Sequence, residues 1–155
     1  MKMSEEIKQM LDENIVYLAT STNDGKPNVV PIGLAHAIDD EQLLVVDVMF
    51  KKTRKNLEDN PRVAISFTDV KRWGSYQLKG IAAIHTDGEI FDEVQRVMKE
   101  KSERRKAHTD VIDDPVIEER VRRMGEWRKR LRPKAAVLIT IEEIYSHMPE
   151  SKEDK

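Results

Sequence analysis

The feature that most constrains this chain is a near-continuous apolar run, Ala-Ala-Val-Leu-Ile-Thr-Ile at residues 135–141. A strand of that composition is buried on both faces and is too apolar to stand as an exposed edge. It needs strands on either side, and the chain offers them only upstream of residue 86. A long, highly charged segment intervenes, so the last strand must return across it to an earlier sheet. A closed Greek-key barrel removes the edges that such a return would otherwise leave.

The upstream segments supply those strands. Residues 15–21 are β-branched and apolar, Asn23-Asp24-Gly25 tolerates positive φ, and a second apolar segment spans 28–35. This predicts a strand, a tight hairpin and a strand. Pro31 cannot donate a ladder hydrogen bond and predicts an edge, a bulge or a bend. Asp39-Asp40 turns the chain before a strand at 43–48, and further strands follow at 63–67 and 76–84, the last ending at Thr86-Asp87-Gly88. Ser4 caps a predicted helix carrying Ile7, Met10 and Leu11, with Glu5 and Glu6 set favourably against its dipole. Pro61 limits a second helix, at 53–60, to about two turns. Phe91, Val94, Val97 and Met98 recur at helical spacing, another helix runs from about Pro115 to Arg130, and residues 109–114 read as a loop between them. The expectation is therefore a mainly β, α+β chain with six antiparallel strands. It forms one domain over residues 1–148, and 149–155 are a disordered tail.

The 155 residues suffice for one core. Charged side chains make up 36%, yet the net charge is only −2, which gives no overall pull toward nucleic acid. Residues 99–134 are locally basic, and Arg104-Arg105-Lys106 with the segment from Arg122-Arg123 to Lys134 would form the basic face of a nucleic-acid-binding protein. Glu100, Glu103, Glu118, Glu119 and Glu126 interleave with them and predict ion pairs on a solvated helix instead. The absence of cysteine excludes disulfides, thiolate metal sites and cysteine nucleophiles. His36, His85, His108 and His147 are scattered without ligand spacing, so no metal site is expected. Asp39-Asp40-Glu41 and Asp113-Asp114 occur in turn contexts, and neither a Gly-x-Ser-x-Gly elbow nor a Gly-x-Gly-x-x-Gly pattern is present. The first ten residues are charged, and no apolar stretch approaches the roughly 18 residues of a membrane span. The expectation is a cytoplasmic protein with no membrane segment.

The stretch richest in chemistry is Lys51-Lys52-Thr53-Arg54-Lys55-Asn56-Leu57, which follows a strand and opens a helix with Thr53 as its expected N-cap. Unpaired N–H groups, the positive end of the dipole, two lysines, a hydroxyl and an amide would together hold a phosphate. Taken alone, an ordinary capped surface helix is the simpler reading of the same residues.

Six pieces in order widen the pattern. They are Ala19-Thr20-Ser21, Asp24-Gly25-Lys26-Pro27, the strand at 29–33, Lys52-Thr53-Arg54-Lys55-Asn56-Leu57, Asn60-Pro61-Arg62-Val63-Ala64, and Gln77-Leu78-Lys79-Gly80-Ile81-Ala82. In this order the chain resembles the FMN-binding split-barrel proteins, the pyridoxamine 5′-phosphate oxidase-like family. The resemblance implies a six-stranded antiparallel Greek-key split β-barrel with peripheral helices. It also implies a homodimer with FMN bound non-covalently in a groove at the subunit interface. Carried over by position, Lys52 and Thr53 would hold the phosphate, with Lys51 and Asn56 as helpers. Val30, Pro31, Ile32 and Gly33 would line the isoalloxazine ring, facing Asp47, Val48 and Met49 on the neighbouring strand, and Gln77 would lie near the cofactor.

Two departures qualify what the resemblance implies. Pyridoxamine phosphate oxidases carry a C-terminal Arg-x-His signature, whereas Tyr145 stands two positions before His147 here. That argues against the oxidase reaction and leaves flavin binding in place. The charged helical insertion at about 89–132 exceeds what small members of the family carry. Its Met124, Trp127 and Leu131 either pack the helix to the barrel, the usual fate of such a stripe, or cover the ring or a dimer interface. The expected function is that of an FMN-dependent oxidoreductase or electron-transfer protein acting with a small-molecule donor or acceptor. Deazaflavin, haem or nucleic acid as ligand are the alternatives.

Overall fold

The computed structural model describes residues 1–107 and 113–149, except for the side chains of 105–107. Most of the predicted loop at 109–114, together with His108 and the predicted tail beyond Pro149, lies outside the described residues. Seven strands form one antiparallel sheet: β1 (Val16–Ser21), β2 (Pro27–Ile32), β3 (Ala35–Ala37), β4 (Gln42–Asp47), β5 (Arg62–Asp69), β6 (Gly74–His85) and β7 (Ala135–Ser146). Among the described residues four helices decorate it: α1 (Glu5–Glu13), α2 (Lys52–Asp59), α3 (Gly88–Ala107) and α4 (Pro115–Arg130). The strand order is β2-β1-β5-β6-β7-β4-β3.

The two ends of that order, β2 and β3, are consecutive in sequence and separated only by Gly33-Leu34. The sheet therefore curls until its first and last strands meet at one corner, where the Val46 N–H donates to the Leu34 carbonyl at 3.2 Å. This corrects the expectation of six strands. The single strand predicted over 28–35 breaks at the corner: its first part pairs with β1 and its sequel pairs with β4. Pro31 falls on the edge strand β2, where its missing N–H costs no ladder bond.

β7 lies between β6 and β4 and pairs with both along its apolar half. Val137, Ile139 and Ile141 enter the main core with Leu18, Leu43, Ile65 and Leu78, while Ala136 joins a second cluster on the other face. That second cluster is closed by α3, whose Val94 and Val97 pack on Leu44 and Val46. α1 covers one end of the main core with Ile7, Met10 and Leu11, and Ser4 caps it by accepting the Ile7 N–H at 3.3 Å. The first hairpin uses Gly25 at φ +85°, a left-handed conformation that glycine adopts without penalty.

Two contacts fix the long β5–β6 hairpin. The Asp69 carboxylate, buried at the start of the turn, accepts the Lys71 and Arg72 N–H groups at 2.9 and 3.0 Å. It also accepts the Asn14 amide at 3.2 Å and the Arg72 guanidinium. Burial opposes its ionisation, but these donors outweigh burial and hold its pKa down to about 2. Further along, β6 and β7 shift register between Lys79 and Gly80, and the Gly80 α-carbon approaches the Thr140 carbonyl so closely that no Cβ fits.

Asp69 contributes stability that is present above the ordinary aspartate range near pH 4 and is lost as pH falls through about 2. In urea unfolding, Asp69→Asn should lower stability at pH 6 and should flatten the loss of stability between pH 4 and 2. Gly80→Ala should cost about 3 kcal/mol or more, since the obstructing atom is main chain in the middle of a sheet. Two melting curves check it.

Candidate functional site

On β1 the residues that face inward are Val16, Leu18 and Thr20, so a hydroxyl occupies a core position at the end of the strand. It is satisfied from two directions. The Asn56 amide of α2 donates to the Thr20 hydroxyl at 3.0 Å, and the Asn28 amide of β2 donates to it at 3.3 Å. Asn28 also donates to the Thr53 hydroxyl at 3.1 Å. Four side chains from three elements thus form one network that seats the first turn of α2 on the β1–β2 hairpin. Thr20, Thr53 and Asn56 are buried, where an unmade hydrogen bond is costly, so the network fixes the helix in position as well as joining it.

The helix so fixed differs from its neighbours at its N-terminus. α1 and α4 are capped by Ser4 and Asp114, whose side chains accept N–H groups of the first turn. α2 begins at Lys51 with no side-chain cap. Thr53, expected as the cap, lies inside the first turn with its hydroxyl turned to Asn28, because the inward position it occupies is committed to the network. The first-turn N–H groups of α2 are left without a capping oxygen, and Lys51 and Lys52 are both exposed beside them. Open N–H groups, the positive end of the helix and two cations together favour a doubly charged anion.

Asp47 governs the approach to this helix. At the end of β4 it is buried, and its carboxylate accepts the Phe50 N–H at 2.9 Å and the Arg54 guanidinium at 2.8 Å. Arg54 is held further by Glu58 at 3.0 Å, and its pKa is raised first by the hydrogen bond to Asp47. The Asp47 carbonyl receives the Lys134 N–H at 2.8 Å, tying the chain that leaves α4 to the same joint. Asp47 is therefore committed to shaping the turn at 48–51, with its carboxylate turned to Phe50 and Arg54. Val48 is half-buried against the second core cluster, and Met49 stands exposed.

The other predicted residues fall into two groups. Val30 and Ile32 point inward to the core, so only their main chain faces outward, while Pro31 and Gly33 are exposed. These four do not lie on a strand next to Asp47. Val30, Pro31 and Ile32 belong to β2, which pairs with β1, and Gly33 follows them at the corner where the chain meets the end of β4. Gln77 stands on the outer face in one row with Pro31, Tyr17, Ser66 and Tyr145. Three strand steps separate Gln77 from Pro31, roughly 14 Å. Trp127 is exposed on α4, and no residue of that helix joins either core cluster.

Sequence reasoning missed Thr20 and Asn28 as partners of α2, and Arg54 as the partner of Asp47. A signal for the first was present: Val16, Leu18 and Thr20 share one face of β1, and a hydroxyl on a core face demands a partner. Several basic side chains of the insertion are engaged as expected. Arg122 bridges Glu119 and Glu126, Arg123 pairs with Glu119, Arg96 bridges Glu93 and Glu100, and Arg104 reaches Asp12.

Asp47→Ala should destabilise the protein by about 3 kcal/mol, because it strands the Phe50 N–H and leaves Arg54 without its buried partner. Chemical denaturation measures the loss. Hydrogen exchange should show the extra opening concentrated in 48–54.

A family model described as Pyridoxamine 5′-phosphate oxidase matches residues 3–148. An uncharacterized protein of Methanocaldococcus jannaschii is 31% identical over 150 residues, covering 94% of this chain and 80% of its own length. Among solved structures, HupZ of Group A Streptococcus superimposes with a TM-score of 0.66 at 23% identity, with 94% of each chain covered. An FMN-binding protein of Syntrophomonas wolfei superimposes with a TM-score of 0.65 at 16% identity, covering 93% of this chain and 85% of its own. Both structural likenesses show a shared split-barrel fold, which agrees with the curled sheet and peripheral helices described above. With nearly its whole length matched, the chain belongs to the pyridoxamine 5′-phosphate oxidase family.

Proposed function

We propose that this protein binds FMN non-covalently at the N-terminus of α2 and acts as a homodimeric oxidoreductase or electron-transfer protein on a small molecule. The observation that carries this reading is the uncapped first turn of α2. Its N–H groups and the exposed Lys51 and Lys52 are held in place by the buried Thr20–Asn28–Thr53–Asn56 network. A fold that caps α1 and α4 with side chains keeps this turn open while holding it rigidly, as a phosphate site requires. The FMN-binding relative of the same fold adds support for flavin as the group attached to that phosphate.

The residues present fit such a group. Lys51 and Lys52 neutralise the phosphate, and the N–H groups of the first turn orient it. The exposed Pro31 and Gly33, next to the corner that brings β2 to the end of β4, offer an apolar edge and main-chain polar atoms to a flat ring. Gln77, in the row of Pro31, supplies a side-chain amide on the same outer face. When bound, FMN supplies the capacity to accept and release a hydride or electrons, and the protein supplies position and electrostatics. The row containing Pro31 and Gln77 lies open in one protomer, which is why a second protomer belongs in the reading.

Lys51→Ala with Lys52→Ala should weaken FMN binding by about 2–4 kcal/mol, roughly 30- to 1,000-fold, on the scale of lost charge-assisted hydrogen bonds. Both side chains are exposed, so the melting temperature of the apoprotein should not move. Fluorescence titration with FMN gives the affinity. Unchanged affinity would remove the phosphate assignment, and no FMN binding by the unaltered protein would remove the reading altogether.

A further inference from the structure

The segment that contains α4 divides into two parts by charge. Over 115–127, Arg120, Arg122 and Arg123 are balanced by Glu118, Glu119 and Glu126. Arg122 bridges Glu119 and Glu126, and Arg123 pairs with Glu119, so this part is neutral and largely paired within itself. Over 128–134 the balance is lost. Arg128, Lys129, Arg130, Arg132 and Lys134 carry five positive charges, and no acidic residue occurs from Trp127 to Ile141. Arg132 closes the end of the helix by donating to the Lys129 and Leu131 carbonyls at 3.2 and 3.1 Å. The other four are exposed, and among the described residues they meet no carboxylate. The negative end of the α4 dipole favours cations in its last turn, but Lys134 lies beyond the helix.

This basic segment ends beside the turn that opens α2. The Lys134 N–H donates to the Asp47 carbonyl at 2.8 Å, and the Asp47 carboxylate accepts the Phe50 N–H at 2.9 Å, so Lys134 and the Phe50-Lys51-Lys52 turn flank one residue. The carboxylate between them is taken by Arg54, and no other acidic residue occurs from Val48 to Leu57. Lys51 and Lys52 also meet no carboxylate among the described residues. Arg130 is four residues from Lys134, at most about 14 Å along an extended chain. Six exposed cations from two segments therefore border one joint. Lys51 and Lys52 match the charge of one phosphate at the open N–H groups, which leaves four cations without an anion.

We infer that Arg128, Lys129, Arg130 and Lys134 form a second anion subsite for the small molecule that exchanges electrons with the flavin, and that this molecule carries two or more phosphate or carboxylate groups. The inference rests on the FMN reading above and names the class of substrate, which that reading leaves open. Cations spread over one helical turn and the segment after it suit a molecule whose anionic groups stand at separate points. Each is screened by water and salt, so the subsite governs affinity and approach, and the chemistry stays with the flavin. A nucleic-acid backbone calls for a longer stripe of cations, and the neutral part at 115–127 interrupts any such stripe.

Two measurements on the full chain loaded with FMN test it. In calorimetry at low ionic strength, sodium tripolyphosphate should bind. The variant Arg128→Gln, Lys129→Gln, Arg130→Gln, Lys134→Gln should bind it at least about 10-fold more weakly, the scale of several exposed ion pairs lost at once. Its FMN affinity and melting temperature should hold, because the four side chains are exposed and lie outside the α2 turn. Arg122→Gln with Arg123→Gln removes charge from the same helix and should bind tripolyphosphate as the unaltered chain does. The second measurement is reoxidation of the reduced flavin by hexacyanoferrate(III), two ions each taking one electron while the flavin gives its protons to water. Its rate relative to that of neutral benzoquinone should fall at least about 10-fold in the four-residue variant. Tripolyphosphate affinity equal in that variant, an equal loss in the Arg122, Arg123 variant, or an unaltered rate ratio each overturns the inference. So does binding of a DNA duplex tighter than tripolyphosphate and lost in the same variant, which would assign the segment to nucleic acid. With FMN bound, those outcomes leave the cofactor standing. A chain that binds no FMN yet loses tripolyphosphate in the variant sinks the cofactor, and with it the substrate role, but keeps the anion site.

Discussion

The burial of β7 on both faces is the constraint from which the rest of the structure follows. Val137, Ile139 and Ile141 close the main core, and Ala136 closes the second cluster, so the strand must have a pairing neighbour on each side. Pairing with β6 is local in topology, but pairing with β4 brings the end of the chain back to its first third. Once β4 is fixed there, β3 follows it as a hairpin partner, and the two residues between β2 and β3 force the sheet to curl. The corner at Gly33-Leu34 and the turn at 48–51 are then adjacent because both border β4. The candidate phosphate site is a product of barrel closure, not of any one loop.

The same closure explains why polar side chains are buried at the site. Thr20, Thr53 and Asn56 occupy inward positions that apolar residues would stabilise more simply. Their hydrogen bonds instead specify where α2 sits, because a network has few satisfying arrangements whereas an apolar contact has many. Asp47 adds the second fixed point, holding Phe50 and Arg54 on one side and the Lys134 main chain on the other. Between these two anchors the Lys51–Lys52 turn has little freedom. Preorganisation of that kind is what allows a few N–H groups and two cations to hold an anion in water.

Much of this was legible in the sequence where one residue type has one physical use. Gly25 in a hairpin, Ser4 before an apolar-periodic segment, and the apolar run at 135–141 each led to the element observed. The 115–130 helix was legible from its proline start and its stripe. The misreadings have a common cause. Over 28–35 alternation shows that residues are extended and does not show which neighbours they pair with, so the break into β2 and β3 is not visible in it. The hydroxyl of Thr53 is suited to a capping role, yet its burial and its bond to Asn28 depend on β2, a partner distant in sequence. The pairing of Asp47 with Arg54 is hidden from the sequence in the same way, since it exists only in three dimensions.

The stripe on α4 shows the limit of periodicity from the other side. An apolar face reports that a helix is covered, and the usual inference is that its own barrel covers it. Here the protomer does not, since the core is already complete with α1 on one cluster and α3 on the other. The connection from Leu131 to Ala135 is short and pinned at Lys134 to Asp47, so α4 departs from the site and not from the far end of the barrel. A helix leaving that place with an uncovered face carries its apolar surface beyond the protomer. The length of the insertion is therefore not accounted for by the packing of the barrel's own core.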